Sequence, residues 1–254
     1  MENANIVFNA GKFQQRVKAL PIILLLDVSG SMGTDGKIEH LNEAVIDMLD
    51  AFSKEMKKSE HIYKVAIITF GTGATILQEF GDPDFILNNY KELTAGGQTY
   101  LGAALETAKT MIEDKNIMPS YWYRPAVLLL SDGHPYGEDS GYWKQCMDAF
   151  CNTGRSGTKT QRFAIALGKD ASEEVLAKFT GNPDNVLHAE DASEILKNFR
   201  EVTLTVAQRF DNPDPNQFVP YGNFDFDNAN KEKPEMYRTR RKPKTPQRND
   251  GLED

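Results

Sequence analysis

Oxygen-bearing side chains recur at three places in this sequence, and together they have the chemistry of a metal site. Aspartate and serine alternate in the first place, so the oxygens of Asp27, Ser29 and Ser31 point to one side of the chain. Thr99 offers a hydroxyl at the start of a helix that follows a glycine-rich loop, and Asp132 adds a second carboxylate. Hard oxygen ligands select Mg²⁺, Mn²⁺ or Ca²⁺ over zinc or copper. We therefore predict a divalent-cation site, with Mg²⁺ preferred, at Asp27, Ser29, Ser31, Thr99 and Asp132.

The charge of this predicted site indicates binding rather than catalysis. Only Asp27 and Asp132 supply formal negative charge, so a divalent cation would keep water ligands and at least one open coordination position. Such a cation attracts a carboxylate from outside the chain. A helix-capping role for Asp27, Ser29 and Ser31 is the structural alternative.

The predicted elements bring these side chains to one edge of a sheet. Uninterrupted or nearly uninterrupted apolar runs are typical of strands buried on both faces, and they occur at Ile22–Leu26, Val65–Phe70, Ala126–Leu130 and Phe163–Leu167. Amphipathic helical patterns fill the intervals, and Gly71-Thr72-Gly73 predicts a hairpin to one antiparallel edge strand. The fold class is therefore α/β, three-layered and Rossmann-like, with a mostly parallel central sheet and helices on both faces. Asp27 and Asp132 each follow a strand of this sheet.

Length and charge exclude several classes of protein. The chain has 254 residues and a formal net charge of −8, which does not suit a general nucleic-acid binder. The longest apolar run, Leu20–Leu26, is too short to cross a bilayer, so no membrane partner is expected. The amino terminus lacks the pattern of a secretory signal, and Cys146 and Cys151 are not spaced for a disulfide framework, so we expect a cytoplasmic protein.

Composition changes divide the chain into three parts. We predict an N-terminal arm over 1–19, one domain over 20–210 and a proline-rich, partly basic and disordered tail over 211–254. Within the tail, Phe218-Val219-Pro220-Tyr221 and Phe224-Asp225-Phe226-Asp227 suit either a docking segment or an arm that completes the fold. The stretch 231–248 contains eight Lys or Arg and two Glu, and it is the one place where contact with nucleic acid is plausible.

Three motifs resemble the loops of the von Willebrand factor type A (vWA) domain. They are Asp27-Val28-Ser29-Gly30-Ser31-Met32, Gly96-Gly97-Gln98-Thr99 with Gly102-Ala103-Ala104-Leu105, and Leu130-Ser131-Asp132-Gly133. The resemblance covers roughly Leu20 to Gln208. It implies a metal-ion-dependent adhesion site (MIDAS), with Ser29 and Ser31 as direct ligands, Thr99 direct or through water, and Asp27 and Asp132 largely through water. Gln98 stands where the family commonly has Gly-Gly-Thr, and the spacing to Leu101 favours Thr99.

Within this family, the chain is most similar to the intracellular bacterial TerY-like branch associated with tellurite resistance. The similar segments are Pro21–Met32, Ile67–Phe70, the Thr99 loop, and Tyr123-Arg124-Pro125 with the strand that runs into Ser131–Pro135. The resemblance implies a protein kinase, a PP2C-type phosphatase or an ATPase as partner, in a bacterial stress-response or defence complex.

Two other functions compete with metal-dependent binding of a partner's Asp or Glu. One is an Mg²⁺-dependent phosphohydrolase with Asp27 as nucleophile, but such chemistry normally needs an acid two residues on, where Ser29 stands. The other is a secreted adhesin, which the amino terminus and the unpaired cysteines disfavour. We therefore expect a binding module and not an enzyme. His134 is interpreted as a loop histidine bonded to its neighbours, with a ligand or acid–base role as the alternative.

Overall fold

A computed structural model describes residues 16–132, 134–136, 141–169 and 171–220 of the chain. Most of the predicted N-terminal arm, the aromatic and acidic segment Phe224–Asp227 and the basic stretch 231–248 lie outside the described residues. No helix within the described ranges combines the length and apolar character needed to cross a bilayer.

One sheet organises the described residues. Its six strands are β1 (Leu20–Asp27), β2 (Tyr63–Phe70), β3 (Ala74–Gly81), β4 (Ala126–Ser131), β5 (Gln161–Leu167) and β6 (Val186–Ala189). Their spatial order is β3-β2-β1-β4-β5-β6. The edge strand β3 is antiparallel to β2, and the other neighbours are parallel. This arrangement confirms the predicted mostly parallel sheet with one antiparallel edge strand.

Helices cover both faces of the sheet. In the described part of the chain they are α1 (Lys37–Lys58), α2 (Pro83–Asn88), α3 (Leu101–Glu113), α4 (Tyr142–Asn152), α5 (Gly154–Lys159), α6 (Glu173–Thr180) and α7 (Ala192–Ala207). α1 and α7 pack on one face, and α3, α4 and α6 pack on the other.

The central strand β1 explains why its sequence is apolar without interruption. Ile22, Leu24 and Leu26 are buried against the layer of α1 and α7, whereas Ile23 and Leu25 are buried against the opposite layer. Because successive side chains of a strand point to opposite faces, a strand covered on both sides needs apolar residues at every position. The same burial on both sides applies to β4.

The described chain ends with a segment packed at the base of the sheet, where the parallel strands begin. Arg209 is fully buried and donates hydrogen bonds to the carbonyl of Pro215 over 2.9 Å and to that of Arg124 over 2.7 Å. Asn216 Oδ1 accepts the Arg124 N–H, and Gln161 Nε2 donates to the Val219 carbonyl. Residues 212–220 therefore contact the segments that lead into β4 and β5. Burial lowers the pKa of Arg209 to about 10.

Candidate metal centre

Sheet topology places the two predicted carboxylates next to each other. β1 and β4 are parallel neighbours, with Leu26 opposite Leu130, so Asp27 and the residues after β4 lie at the same edge. The chain proceeds from β1 to β2 and β3 on one side, and then from β4 to β6 on the other. The strand order thus reverses between β1 and β4, and ligands of open α/β sheets bind at that point of the carboxyl edge.

Asp27 is a buried carboxylate held by two hydrogen bonds. Asp27 is 1% exposed, and its Oδ1 accepts the Ser29 N–H over 2.9 Å. Oδ2 accepts the hydroxyl proton of Ser131 over 2.8 Å. Burial raises the pKa of Asp27 to about 6, because hydrogen bonds from Ser29 and Ser131 offset only part of the lost solvation and Asp132 adds a like charge. The charge on Asp27 is therefore poorly compensated within the chain.

Ser29 and Ser31 bring their hydroxyls together beside this carboxylate. The two Oγ atoms are 3.1 Å apart, and Ser29 precedes a short 3₁₀ turn over Gly30–Gly33. Ser29 makes no side-chain capping bond to that turn, and α1 begins after Gly36. The geometry therefore does not support the capping alternative for these serines.

Backbone hydrogen bonds join a glycine-rich loop to the Ser29 loop. The Gly96 N–H donates to the Val28 carbonyl over 2.7 Å, and the Gly30 N–H donates to the Gly97 carbonyl over 3.0 Å. Gly97 has a φ of 82°, and a Cβ atom there would overlap the Thr72 side chain. Only glycine fits that backbone and that space without strain.

Thr99 joins this loop to the third one. Its carbonyl accepts the N–H of Leu101 at the start of α3 over 2.9 Å, and the N–H of Tyr136 over 2.8 Å. Tyr136 lies in the loop that follows Asp132, so this hydrogen bond connects Thr99 of the second predicted loop to the third. Thr99 is 9% exposed, and its backbone carbonyl makes both of these contacts.

A cleft of about 180 Å³ opens at this edge of the sheet. Three predicted ligands, Asp27, Ser31 and Asp132, contribute to its wall. The remaining wall residues are Met32, Lys37, His134, Leu167, Gly168 and Lys169. Asp132 Oδ1 accepts the His134 N–H over 3.0 Å, and the Asp132 carbonyl accepts the Ser172 N–H over 2.8 Å.

The residues around this cleft fit a hard divalent cation. The five predicted ligands supply two carboxylates and three hydroxyls, of which Asp27, Asp132 and Ser31 line the cleft and Ser29 and Thr99 do not. Such oxygens suit a hard cation, and the buried carboxylate of Asp27 lacks a full counter-charge. Asp27, Ser29, Ser31, Thr99 and Asp132 would hold the ion. Sequence reasoning missed three other residues of this region: Ser131, which orients Asp27, and the two lysines of the cleft wall.

The aromatic residues near the Asp132 loop divide between core and rim. Trp143 is 8% exposed and packs in the core, and Trp122 is half-buried with its ring edge-to-face to Phe80. Tyr100 and Tyr136 have ring centroids 5.1 Å apart beside the Thr99 loop. Core packing therefore accounts for the tryptophans, whereas Tyr136 is exposed near the cleft.

Comparison with known proteins agrees with this geometry. Residues 22–134 match the family model of the von Willebrand factor type A domain. The fold is that of a vWA domain. The match includes Asp27, Ser29, Ser31, Thr99 and Asp132. No curated protein sequence matches the chain significantly.

Solved vWA structures share the fold at low sequence identity. The vWA protein from Catenulispora acidiphila superposes with a TM-score of 0.60 at 18% identity, over 74% of this chain and 42% of its own. Proximal thread matrix protein 1 of the mussel byssus, in a structure with a zinc-occupied MIDAS motif, gives 0.60 at 17%, over 75% and 48%. The vWF domain of the pilus tip protein Mfa5 from Porphyromonas gingivalis gives 0.57 at 11%, over 75% and 96%. The chain thus spans less than half of the first two proteins.

Proposed function

We propose that this chain is a metal-dependent protein-binding module whose cation accepts an Asp or Glu side chain from a partner protein. The observation that carries the proposal is the pair of Ser29 and Ser31 hydroxyls, 3.1 Å apart, beside the buried Asp27 carboxylate. A bound cation, with Mg²⁺ preferred and Mn²⁺ or Ca²⁺ as alternatives, supplies an open coordination position for the incoming carboxylate. The chain orients the ligands through the Ser131 hydroxyl and the backbone bonds of the Gly96–Gly97 loop.

We propose a non-enzymatic role, although the cleft holds two lysines that the sequence did not place there. Lys37 and Lys169 are the type of cation that a phosphohydrolase needs near a transferred phosphoryl group. However, a nucleophilic Asp27 would have to expose an oxygen for in-line attack, and this residue is 1% exposed with both oxygens accepting hydrogen bonds. Ser29 also stands where the general acid would be. Metal-dependent hydrolysis of an aryl phosphate that is lost in Asp27→Ala would overturn this part of the proposal.

The biological setting that we propose is a bacterial stress-response or defence complex inside the cell. The support is the resemblance to the TerY-like branch in the Asp27, Thr99 and Asp132 loops. The partners implied are a protein kinase, a PP2C-type phosphatase or an ATPase, with an acidic side chain that reaches the cation.

An extracellular adhesin is the second candidate, and the pilus proteins among the structural neighbours favour it. These include Mfa5 and the pilus adhesin SpaC from Lactobacillus rhamnosus GG. Cell fractionation with an antibody against residues 20–210 separates the two candidates. Retention in the cytoplasmic fraction supports the intracellular complex, and recovery at the cell surface supports the adhesin.

A pull-down from extract of the native organism tests the binding function. The bait proteins are wild type, Asp27→Ala and Glu60→Gln, each with Mg²⁺ or with a chelator. Glu60 is exposed directly before the segment leading into β2, at the opposite edge of the sheet, so it controls for the lost charge. We expect a partner that wild type and Glu60→Gln retain in Mg²⁺ and that chelator or Asp27→Ala releases. Retention that does not depend on metal or on Asp27 would contradict the proposal.

A further inference from the structure

The cleft contains two lysines that the proposed metal site does not use. Lys37 is the first residue of α1, and Lys169 lies in the loop that follows β5. Both contribute to the wall that also contains Asp27, Ser31 and Asp132. Two cationic residues from distant segments of the chain therefore line the same cleft as three of the predicted ligands.

The formal charges of the carboxylates and lysines in the cleft wall sum to zero only while the cation is absent, although this sum does not give the buried Asp27 a close counter-charge. Asp27 and Asp132 supply two negative charges, and Lys37 and Lys169 supply two positive charges. A divalent cation leaves the same cleft with a surplus of two positive charges, in a chain whose net charge is −8. One carboxylate from a partner removes only half of this surplus.

The ion pair of Lys169 with Glu190 has little effect on this charge balance. The Lys169 Nζ lies 3.7 Å from Glu190 Oε2, but the two side chains are 78% and 67% exposed. Ion pairs of such exposed groups are weak and screened by salt, so Lys169 can exchange Glu190 for an incoming acid at little cost.

The size of the cleft also accommodates more than one carboxylate. Its volume of about 180 Å³ is many times the roughly 15 Å³ that a cavity needs to hold one water molecule. The carboxymethyl group of a single aspartate has four non-hydrogen atoms and leaves part of that volume unfilled.

We propose that Lys37 and Lys169 select partners with two neighbouring acidic side chains, of which one binds the cation and the other pairs with the lysines. This inference rests on the proposed function, because it needs a carboxylate at the metal. It assigns the lysines a role in specificity, whereas the five oxygen ligands determine whether metal binds.

Line broadening of short peptides by the Mn²⁺-loaded full chain tests the inference. The probes are acetylated, amidated peptides with one acid, Gly-Ala-Asp-Ala-Gly, or two acids, Gly-Asp-Asp-Ala-Gly and Gly-Asp-Ala-Asp-Gly. The proteins are wild type, Lys37→Gln/Lys169→Gln and the control Lys115→Gln/Lys159→Gln. Lys115 and Lys159 are exposed, the first just after α3 and the second at the end of α5, near the start of β5. The control therefore loses the same charge away from the cleft.

We expect wild type to bind at least one diacidic peptide about five- to tenfold more tightly than the monoacidic peptide at low salt. In Lys37→Gln/Lys169→Gln this ratio falls to near one while Mn²⁺ affinity stays within about twofold, and the control keeps the wild-type ratio. A ratio that is one in wild type, or that survives loss of both lysines, overturns the inference alone. If Mn²⁺-loaded wild type broadens none of the peptides, the proposed function fails together with it.

Discussion

The hydroxyl of Ser131 donates a hydrogen bond to Asp27 Oδ2 over 2.8 Å and so joins the end of β4 to the end of β1. The other carboxylate oxygen of Asp27 accepts the Ser29 N–H. The orientation of Asp27 is therefore fixed by the fold before any cation arrives. A preoriented ligand loses less conformational entropy on binding, so a residue that does not touch the metal contributes to its affinity.

Loss of a predicted ligand should strongly weaken metal binding. Asp27→Ala removes the buried carboxylate, and Ser29→Ala removes one of the paired hydroxyls. We expect Mn²⁺ affinity, measured by calorimetry or by paramagnetic broadening of protein resonances, to fall at least about 100-fold for Asp27→Ala and at least about tenfold for Ser29→Ala. Glu60→Gln should bind Mn²⁺ as wild type does. Unchanged affinity in both ligand variants would show that the site assignment is wrong.

Removal of the orienting hydroxyl should weaken the same site without abolishing it. We expect Ser131→Ala to lower Mn²⁺ affinity about tenfold, the effect typical of residues that orient metal ligands. Ser53→Ala is the matched control, because Ser53 is also buried and donates to a carboxylate, that of Asp84, away from the cleft. Equal affinity of Ser131→Ala and wild type would mean that the orientation of Asp27 does not limit binding.

The raised pKa of Asp27 predicts a pH-dependent stability of the metal-free protein. Burial raises this pKa from 3.8 to about 6, so the folded state holds the proton more tightly than the unfolded chain. The stability associated with the bound proton is present below about pH 4 and is lost as the pH rises through about 6, by at most about 3 kcal/mol. Asp27→Asn has no proton to lose in this window.

Denaturant unfolding of both proteins across this pH range measures the effect. We expect the free energy of unfolding of wild type to fall relative to that of Asp27→Asn between about pH 4 and pH 6, and the difference to stay constant above. Saturating Mg²⁺ should restore wild-type stability at neutral pH and have no effect on Asp27→Asn. Parallel pH profiles without metal would contradict the prediction.

Substitution by alanine should destabilise the protein strongly at one of two adjacent glycines in the Thr99 loop and hardly at all at the other. Gly97 has a φ of 82°, and a Cβ there would overlap Thr72, whereas a Cβ at Gly96 would meet nothing within 4 Å. We expect Gly97→Ala to lower the free energy of unfolding by more than about 2 kcal/mol and to weaken metal binding, because a loop displaced from Thr72 disturbs the hydrogen bond between Gly30 and Gly97. Gly96→Ala should stay within about 0.5 kcal/mol of wild type. Thermal unfolding and Mn²⁺ titration of the two variants test this prediction, and equal effects of both substitutions would contradict it.

Arg209 should control the docking of residues 212–220. Arg209→Gln removes the guanidinium that donates to the Pro215 and Arg124 carbonyls, and hydrogen bonds from charged groups contribute about 1.5–3 kcal/mol each. We expect proteolytic cleavage within 212–220 to become at least about tenfold faster, with Mn²⁺ affinity unchanged. Arg200→Gln, which breaks a half-exposed ion pair between α7 and Asp47 of α1, should be cleaved at the wild-type rate. Equal cleavage rates in the two variants would show that Arg209 does not hold the segment.

The sheet could be predicted from sequence because burial on both faces leaves a continuous apolar signal. β1 shows this signal over Ile22–Leu26 and β4 over Ala126–Leu130. Two elements that lack this apolar signal were not predicted. β6 has only four residues, with His188 exposed, and α5 contains two glycines, which disfavour helix in isolation. Contacts with β5 and with α4 stabilise these two elements.

The same contrast applies to the site. The alternation of Asp27, Ser29 and Ser31 is local, so its convergence could be inferred from spacing. Lys37 and Lys169 reach the cleft only because α1 and the loop after β5 meet at one edge of the folded sheet. Ser131 is the last residue of β4, and its sequence context gives no sign of its partner, because the contact with Asp27 depends on the pairing of β1 with β4. Tertiary placement, not residue type, defines these three residues.

The packing of residues 212–220 at the base of the sheet places the end of the described chain away from the cleft. The cleft lies at the carboxyl ends of the strands, and Val219 contacts Gln161 at the start of β5. β1 has eight residues, so at about 3.3 Å per residue the two edges are roughly 26 Å apart. A carboxylate bound at the cation and the packed residues 212–220 therefore occupy opposite edges of the sheet, so occupancy of the cleft does not require this segment to move.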